Sequence, residues 1–206
     1  MQPLGPAVCP RCSLPSPGGR TCQRCEGHPH AVRAIIASYP FEGVVRAGIL
    51  GLKYRGRRRL ARVLTPALIA ALERRPLTAD LVIPVPLSWA RSRERGFNQS
   101  ELLARPVAAA LRLPLDTTSL LRARDTAQQT RLPARERRRN VVGAFEVANP
   151  SAVADRRVLL VDDVCTTGAT LDACGAALAD AGAAGVWALV LARDAPGRPT
   201  GSVITT

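Results

Sequence analysis

The chain has 206 residues, 47% of them apolar and only 3% aromatic. That suits one α/β domain with an Ala, Leu and Val core plus a small appendage, and it argues against an aromatic-rich β-sandwich. The net charge of +13 is carried almost wholly by arginine, Lys53 being the only lysine; such an excess suits phosphate groups, although a drift of composition toward Arg and Ala would give the same total. No apolar run approaches the roughly 20 residues of a membrane span.

In chain order, the first stretch, residues 1–30, is rich in Pro, Gly and Cys and too poor in apolar residues to fold without a staple. Its start, Met1–Cys9, has neither a basic n-region nor an apolar h-region. No signal peptide is therefore expected, and the expected location is the cytoplasm, where thiols stay reduced. Residues 31–193 alternate apolar runs with helical patterns. Helices are predicted over Arg46–Leu52 and Leu60–Arg74, the second ending before Pro76. Leu81–Val85 reads as a strand that its prolines stop near Ile83, after which the chain enters a loop. Asn98 followed by Glu101 resembles a capping box and opens a helix over Gln99–Leu111. Val141–Val147 and Val158–Val161 read as strands, Thr170–Ala181 as a helix closed by Gly182, and Val186–Ala192 as the last strand. Strand, helix and strand with short connections make a parallel βαβ unit, hence a Rossmann-like α/β domain with a mostly parallel sheet flanked by helices. The Pro-, Gly- and Thr-rich tail, 194–206, is expected to be flexible.

Cys9-Pro-Arg-Cys12 and Cys22-Gln-Arg-Cys25 are two Cys-x-x-Cys knuckles separated by nine residues. Four thiolates so spaced can surround a tetrahedral zinc ion in a closed, structural site, and metal binding would supply the folding energy the segment lacks. Three alternatives stay open: a disulfide pair, a redox dithiol, or replacement of one thiolate by His28 or His30. Cys165 and Cys174 read as small apolar side chains.

Val158–Val161 leads into Asp162-Asp163, then Cys165-Thr166-Thr167-Gly168-Ala169-Thr170 and a helix. A parallel strand delivers its C-terminal end to the ligand crevice of an open α/β sheet. The loop offers backbone N–H groups and threonine hydroxyls at a helix N-terminus, and Gly168 permits close approach of a phosphate. Carboxylates accept hydrogen bonds from vicinal hydroxyls, so a sugar 5-phosphate fits: phosphate in the loop, ribose hydroxyls on Asp162 and Asp163. A strand-end acidic pair that merely caps a helix is the competing reading. The loop lacks the Gly-Lys-Ser/Thr of a nucleotide-triphosphate loop and the three-glycine dinucleotide fingerprint.

Residues 158–170 resemble the phosphoribosyl-pyrophosphate (PRPP) signature of type I phosphoribosyltransferases. Four ordered landmarks are similar to the ComF family, the competence-protein F and GntX-like group. They are the double Cys-x-x-Cys ribbon, Leu52-Lys-Tyr-Arg-Gly56, the stretch from Ile83-Pro-Val-Pro-Leu87 to Arg93-Glu-Arg-Gly-Phe-Asn-Gln99, and that from Arg135 to Phe145. The resemblance implies the type I phosphoribosyltransferase fold, PRPP bound with Mg²⁺ by Asp162, Asp163 and residues 165–170, and catalysis by the two acids. It also implies an association with natural transformation and DNA uptake. Arg91, Arg93 and Arg95 then fall in the place of the pyrophosphate loop, with Arg95 the leading candidate for ligand contact. The arginine-rich stretch from Arg122 to Asn140 resembles the mobile loop that closes over substrate. Lys53–Gly56 either contacts ligand or joins two helices. The alternatives to turnover are a PRPP sensor and a single-stranded DNA-binding competence factor, the latter weakened by the scarcity of aromatic side chains for stacking.

Overall fold

The computed structural model describes residues 2–27, 30–124 and 143–195. The elements in chain order are β1 (Ala34–Pro40), α1 (Gly43–Tyr54), α2 (Leu60–Arg74), β2 (Leu81–Pro84), α3 (Trp89–Arg95), α4 (Gln99–Leu111), β3 (Leu120–Arg122), β4 (Phe145–Val147) and β5 (Arg157–Cys165). The helix Ala169–Asp180, here α5, and β6 (Gly185–Arg193) complete the chain. Four strands form one sheet in the order β1-β6-β5-β2, and every neighbouring pair is parallel. β3 and β4 make a separate antiparallel ribbon.

The sheet is buried on both faces because alternate residues of its central strands feed two different cores. Leu159, Val161, Leu189 and Leu191 pack with α1, α2 and α4, whereas Val158, Leu160, Ala188 and Val190 pack with α5 and the β3–β4 ribbon. A strand covered on both sides reads as a continuous apolar run, the pattern of Val158–Val161. Each of these four side chains has no exposed surface, and each such burial contributes roughly 2 kcal/mol before chain entropy is subtracted.

The α/β architecture and the βαβ unit are as expected. Gly182 closes α5 as anticipated: its φ is +88°, its N–H donates to Ala179, and the N–H of Ala183 reaches Leu178, a double closure that satisfies the last carbonyls. Several local expectations change. β1 was not anticipated. β5 runs on through Cys165, so the acidic pair lies inside the strand rather than beyond it. Arg91, Arg93 and Arg95 sit on a seven-residue helix, not in a loop. Asn98 does cap α4 by accepting from the Ser100 N–H, but Glu101 turns to Arg105 instead of closing a box. Residues 125–142, which hold most of the arginine-rich stretch and the start of the predicted Val141 strand, lie outside the described residues, as does His28. Among the described residues no helix is long and apolar enough to cross a membrane.

Candidate functional site

A cleft of about 400 Å³ opens at the C-terminal end of the sheet. Its floor is the end of β5, its walls come from α1, the β2–α3 turn and the start of α4, and Thr166 and Thr170 close one side. Parallel sheets place their ligand crevices at this end.

Both acids of the sequence motif reach the cleft, and both are buried. Asp162 Oδ1 accepts from Ser100 Oγ at 2.8 Å and from the Asp163 N–H at 2.8 Å. Burial and the neighbouring Asp163 charge push the Asp162 carboxyl up to about 7, against the pull of Lys53 and Ser100. Asp163 Oδ2 lies 2.7 Å from Lys53 Nζ, a close ion pair without the alignment of a hydrogen bond. Lys53 therefore does more than join α1 to α2: it neutralises the second acid. The sequence did carry a signal for it, since Lys53 is the lone lysine among 29 basic residues. Ser100 carried none, because only the seating of α4 reveals it. Asn98 Nδ2 donates to the Val85 carbonyl and so pins the start of α4 to the end of β2.

The loop after β5 turns at Gly168, whose φ of +87° an L side chain adopts only with strain. Thr167 Oγ1 accepts from the Ala169 N–H at 3.3 Å. Thr167, Gly168 and Ala169 line a second hollow over α5, separate from the one that holds the acids. The Cys165 side chain points into the core, and burial pushes its thiol up to about 11. Its carbonyl and that of Thr166 both accept from Arg193.

Of the α3 arginines, Arg91 lines the cleft. Arg95 instead stacks 5.0 Å from the Tyr54 ring and donates to Gln99, and Arg93 stacks on Trp89. Arg122, the first residue of the stretch expected to close over substrate, also reaches the cleft, as do Phe41, Arg46 and Asp194, which the sequence does not place there.

At the N-terminus, one ligand atom from each of Cys9, Cys12, Cys22 and Cys25 lies within 4.8 Å of the other three, and the Cys12 and Cys22 sulfurs are 3.6 Å apart. Sulfurs around a tetrahedral zinc sit about 3.8 Å apart, given Zn–S bonds of ~2.3 Å, so the donor set fits zinc. Burial pushes the Cys12 and Cys25 thiols up; four crowded thiolates need a cation among them. No disulfide joins any cysteine pair among the described residues, and His30 pairs with Asp172 rather than joining the cluster.

The family model described as phosphoribosyl transferase domain matches residues 58–201. DNA utilization protein YhgH of Escherichia coli O157:H7 is 35% identical over 192 residues, covering 90% of this chain and 84% of that protein. Competence protein F of Haemophilus influenzae is 40% identical over 94 residues, 45% of this chain and 41% of that protein. Among solved structures, the glutamine PRPP amidotransferase from B. subtilis complexed with ADP and GMP aligns with 62% of this chain and 25% of its own at 24% identity and a TM-score of 0.42. The match over residues 58–201 and the identity across nine-tenths of the chain place this protein in the phosphoribosyl transferase domain family, in its ComF branch.

Proposed function

We propose that the protein binds PRPP with Mg²⁺ and transfers its phosphoribosyl group to an acceptor. The observation that carries this reading is the meeting, in one cleft, of a buried acidic pair and the start of a helix-capping Thr-Thr-Gly loop. In this reading the 5-phosphate sits on the 166–170 loop where Thr166 and Thr170 meet the cleft, and the ribose hydroxyls donate to Asp162 and Asp163. The pyrophosphate lies toward the Val85–Leu87 turn and Arg91, which stabilises the negative charge it takes away. The bond from the anomeric carbon to the pyrophosphate oxygen breaks, the electron pair leaves with pyrophosphate, and the acceptor atom bonds to the same carbon and loses its proton. Lys53 and Ser100 hold the two acids in place. The acids supply oxygen donors, the kind a hard cation prefers, and Mg²⁺ would neutralise the phosphate oxygens.

The Cys9, Cys12, Cys22 and Cys25 cluster would hold one structural zinc ion, which suits a cytoplasmic location, where thiols stay reduced. We also take 1–30 as the ribbon and 31–193 as the phosphoribosyltransferase-like domain; Asp194 on the cleft and Ala195 against the cysteines extend the body slightly into the 194–206 tail. The relatives named for DNA utilization and competence support a role in DNA uptake. Calorimetric titration with PRPP and Mg²⁺ tests the site: binding is expected in the intact chain and is expected to be lost on Asp162→Asn with Asp163→Asn. Undiminished binding by the double variant would refute the assignment.

A second reading, binding of single-stranded DNA, draws on a specific surface. Trp89 and Tyr54 are 67% and 64% exposed, and Arg93 and Arg95 stack on them. Exposed rings interleaved with arginines suit unpaired bases and their phosphates. Affinity for a single strand should then fall steeply with salt and weaken by roughly 1–3 kcal/mol per ring removed in Trp89→Ala and Tyr54→Ala. A flat salt response rejects it.

A further inference from the structure

Arg193, the last residue of β6, is only 3% exposed. Its guanidinium joins parts of the chain that are far apart in sequence. Nε donates to the Cys12 carbonyl at 2.7 Å. Nη1 donates to the Cys165 carbonyl at 2.7 Å, to the Thr166 carbonyl, and more distantly to Asp194. Every acceptor is a main-chain oxygen, so the contacts report backbone position. One partner is a residue of the cysteine cluster, and two are the first residues of the proposed phosphate loop.

The ribbon is fixed at this seat. The Ile35 N–H donates to the Arg11 carbonyl at 2.8 Å, and Ser13 Oγ donates to the Ile35 carbonyl at 2.7 Å. Ser13 holds a left-handed φ of +57° and is buried, a conformation that a non-glycine residue keeps only where its surroundings impose it. The knuckle that presents the Cys12 carbonyl therefore has one shape when folded. On the proposed zinc reading, this segment is also the one whose folding depends on a metal. A planar, rigid fork transmits position between its acceptors in a way that a flexible ammonium does not.

We propose that Arg193 is a positioning residue that makes the geometry of the phosphate loop conditional on the metal-loaded ribbon, so that metal retention and phosphoribosyl-ligand binding are coupled. Coupling of this kind is reciprocal: a ligand that selects the ordered loop slows metal loss by stabilising the same arrangement. The ligand half rests on the phosphoribosyl-ligand reading proposed above; the mechanical half rests only on the zinc site.

Hydrogen exchange on the full chain tests the mechanical half without any ligand. Stripping the metal with a chelator under reducing conditions should speed exchange of the residue 166–170 amides by about fivefold or more, the lower end of ordinary coupling, while the α4 amides of Leu103, Ala104 and Val107 stay slow. In Arg193→Lys, which keeps the charge but lacks the fork, the loop amides should exchange fast with metal still bound, and stripping should add nothing. A wild-type loop indifferent to stripping overturns the proposal. So does an Arg193→Lys loop that responds as wild type does, or a rise in α4 exchange equal to that in the loop, which would mean general loosening. Should Arg193→Lys not fold, the comparison of loop and α4 in the wild type still decides. Ribose 5-phosphate should also slow transfer of the metal to a chromophoric chelator in wild type and not in Arg193→Lys. Failure of this arm alone, with the exchange result as expected, counts against the ligand assignment and leaves the coupling standing.

Discussion

Replacing Lys53 by Met should destabilise the protein by about 3 kcal/mol at pH 8, with the loss tracing to Asp163. The two charges are 2.7 Å apart, and their side chains are 20% and 3% exposed. At an effective dielectric of about 20, the gross attraction at that distance is on the order of 6 kcal/mol, most of it offset by desolvation. Removing one partner of a buried pair leaves the other charge unpaired and costs about 3–5 kcal/mol. Water reaches the partly exposed Lys53, which favours the lower end. Asp163 would then face Asp162 with no cation between them, and a proton can relieve that repulsion. The cost should therefore shrink at pH 5. Urea unfolding of wild type, Lys53→Met, Asp163→Asn and the double variant closes a thermodynamic cycle. The double variant should be more stable than Lys53→Met alone, since the Asp163 charge is gone together with its partner. A cost below about 1 kcal/mol at pH 8, with no coupling in the cycle, would refute the buried pair.

Asp162→Asn should change how stability depends on pH. The folded acid is pushed from 3.8 to about 7 by burial and the Asp163 charge, so between those values the folded state holds a proton that the unfolded state has released. Stability therefore falls as pH rises through that window, and Asp162→Asn, which keeps an oxygen for Ser100, should flatten the slope; parallel stability curves for the two proteins would contradict this. Gly168→Ala should cost about 1–2 kcal/mol from positive φ alone, because the new Cβ would come no closer than 3.6 Å to a neighbour, at Ile35. It should also weaken phosphate binding by turning the loop N–H groups, as thermal unfolding and calorimetry would report. Unchanged stability would mean the loop relaxes to a different turn.

Where local chemistry determines an element, the sequence made it legible. The continuous apolar run of β5, the glycine that closes α5 and the paired cysteines each depend on neighbours a few residues away. β1 is not legible in the sequence because Ala34, Ala37 and Ser38 carry weak strand preference and Pro40 mimics a loop; its pairing with β6 holds it in the sheet. Helix α3 was hidden by brevity, because seven residues with none buried show no apolar period. The site followed the same division. Asp162 and Asp163 announced themselves at a strand end, but their partners are contributed by α1 and α4, more than 60 positions away. The motif puts Arg91 and Arg95 in the same place, and their side-chain directions differ because of the turn from Ser88 into α3. Arg193 lies one residue past the predicted strand Val186–Ala192, and only its burial under the cysteine ribbon reveals its four carbonyls.

The acids of the free cleft are already engaged by the protein itself, and this shapes what can bind there. Asp162 receives a hydroxyl and an amide; Asp163 receives an ammonium. A ribose hydroxyl can replace the Ser100 hydroxyl on Asp162 at little cost, since one neutral donor succeeds another. It cannot replace Lys53 on Asp163 in the same way, because a neutral donor leaves a buried carboxylate uncompensated. A sugar that reaches Asp163 must therefore keep the Lys53 ammonium within range or arrive with a cation of its own. Lys53 has three donors and retains some exposure, so it can stay paired with Asp163 while one of its protons turns to a phosphate oxygen. On that arrangement the negative charge of the proposed ligand would meet Lys53, and a metal ion arriving with it would compensate Asp163 wherever Lys53 turns away. The affinity gained on adding a divalent cation should then exceed what the phosphates alone would confer.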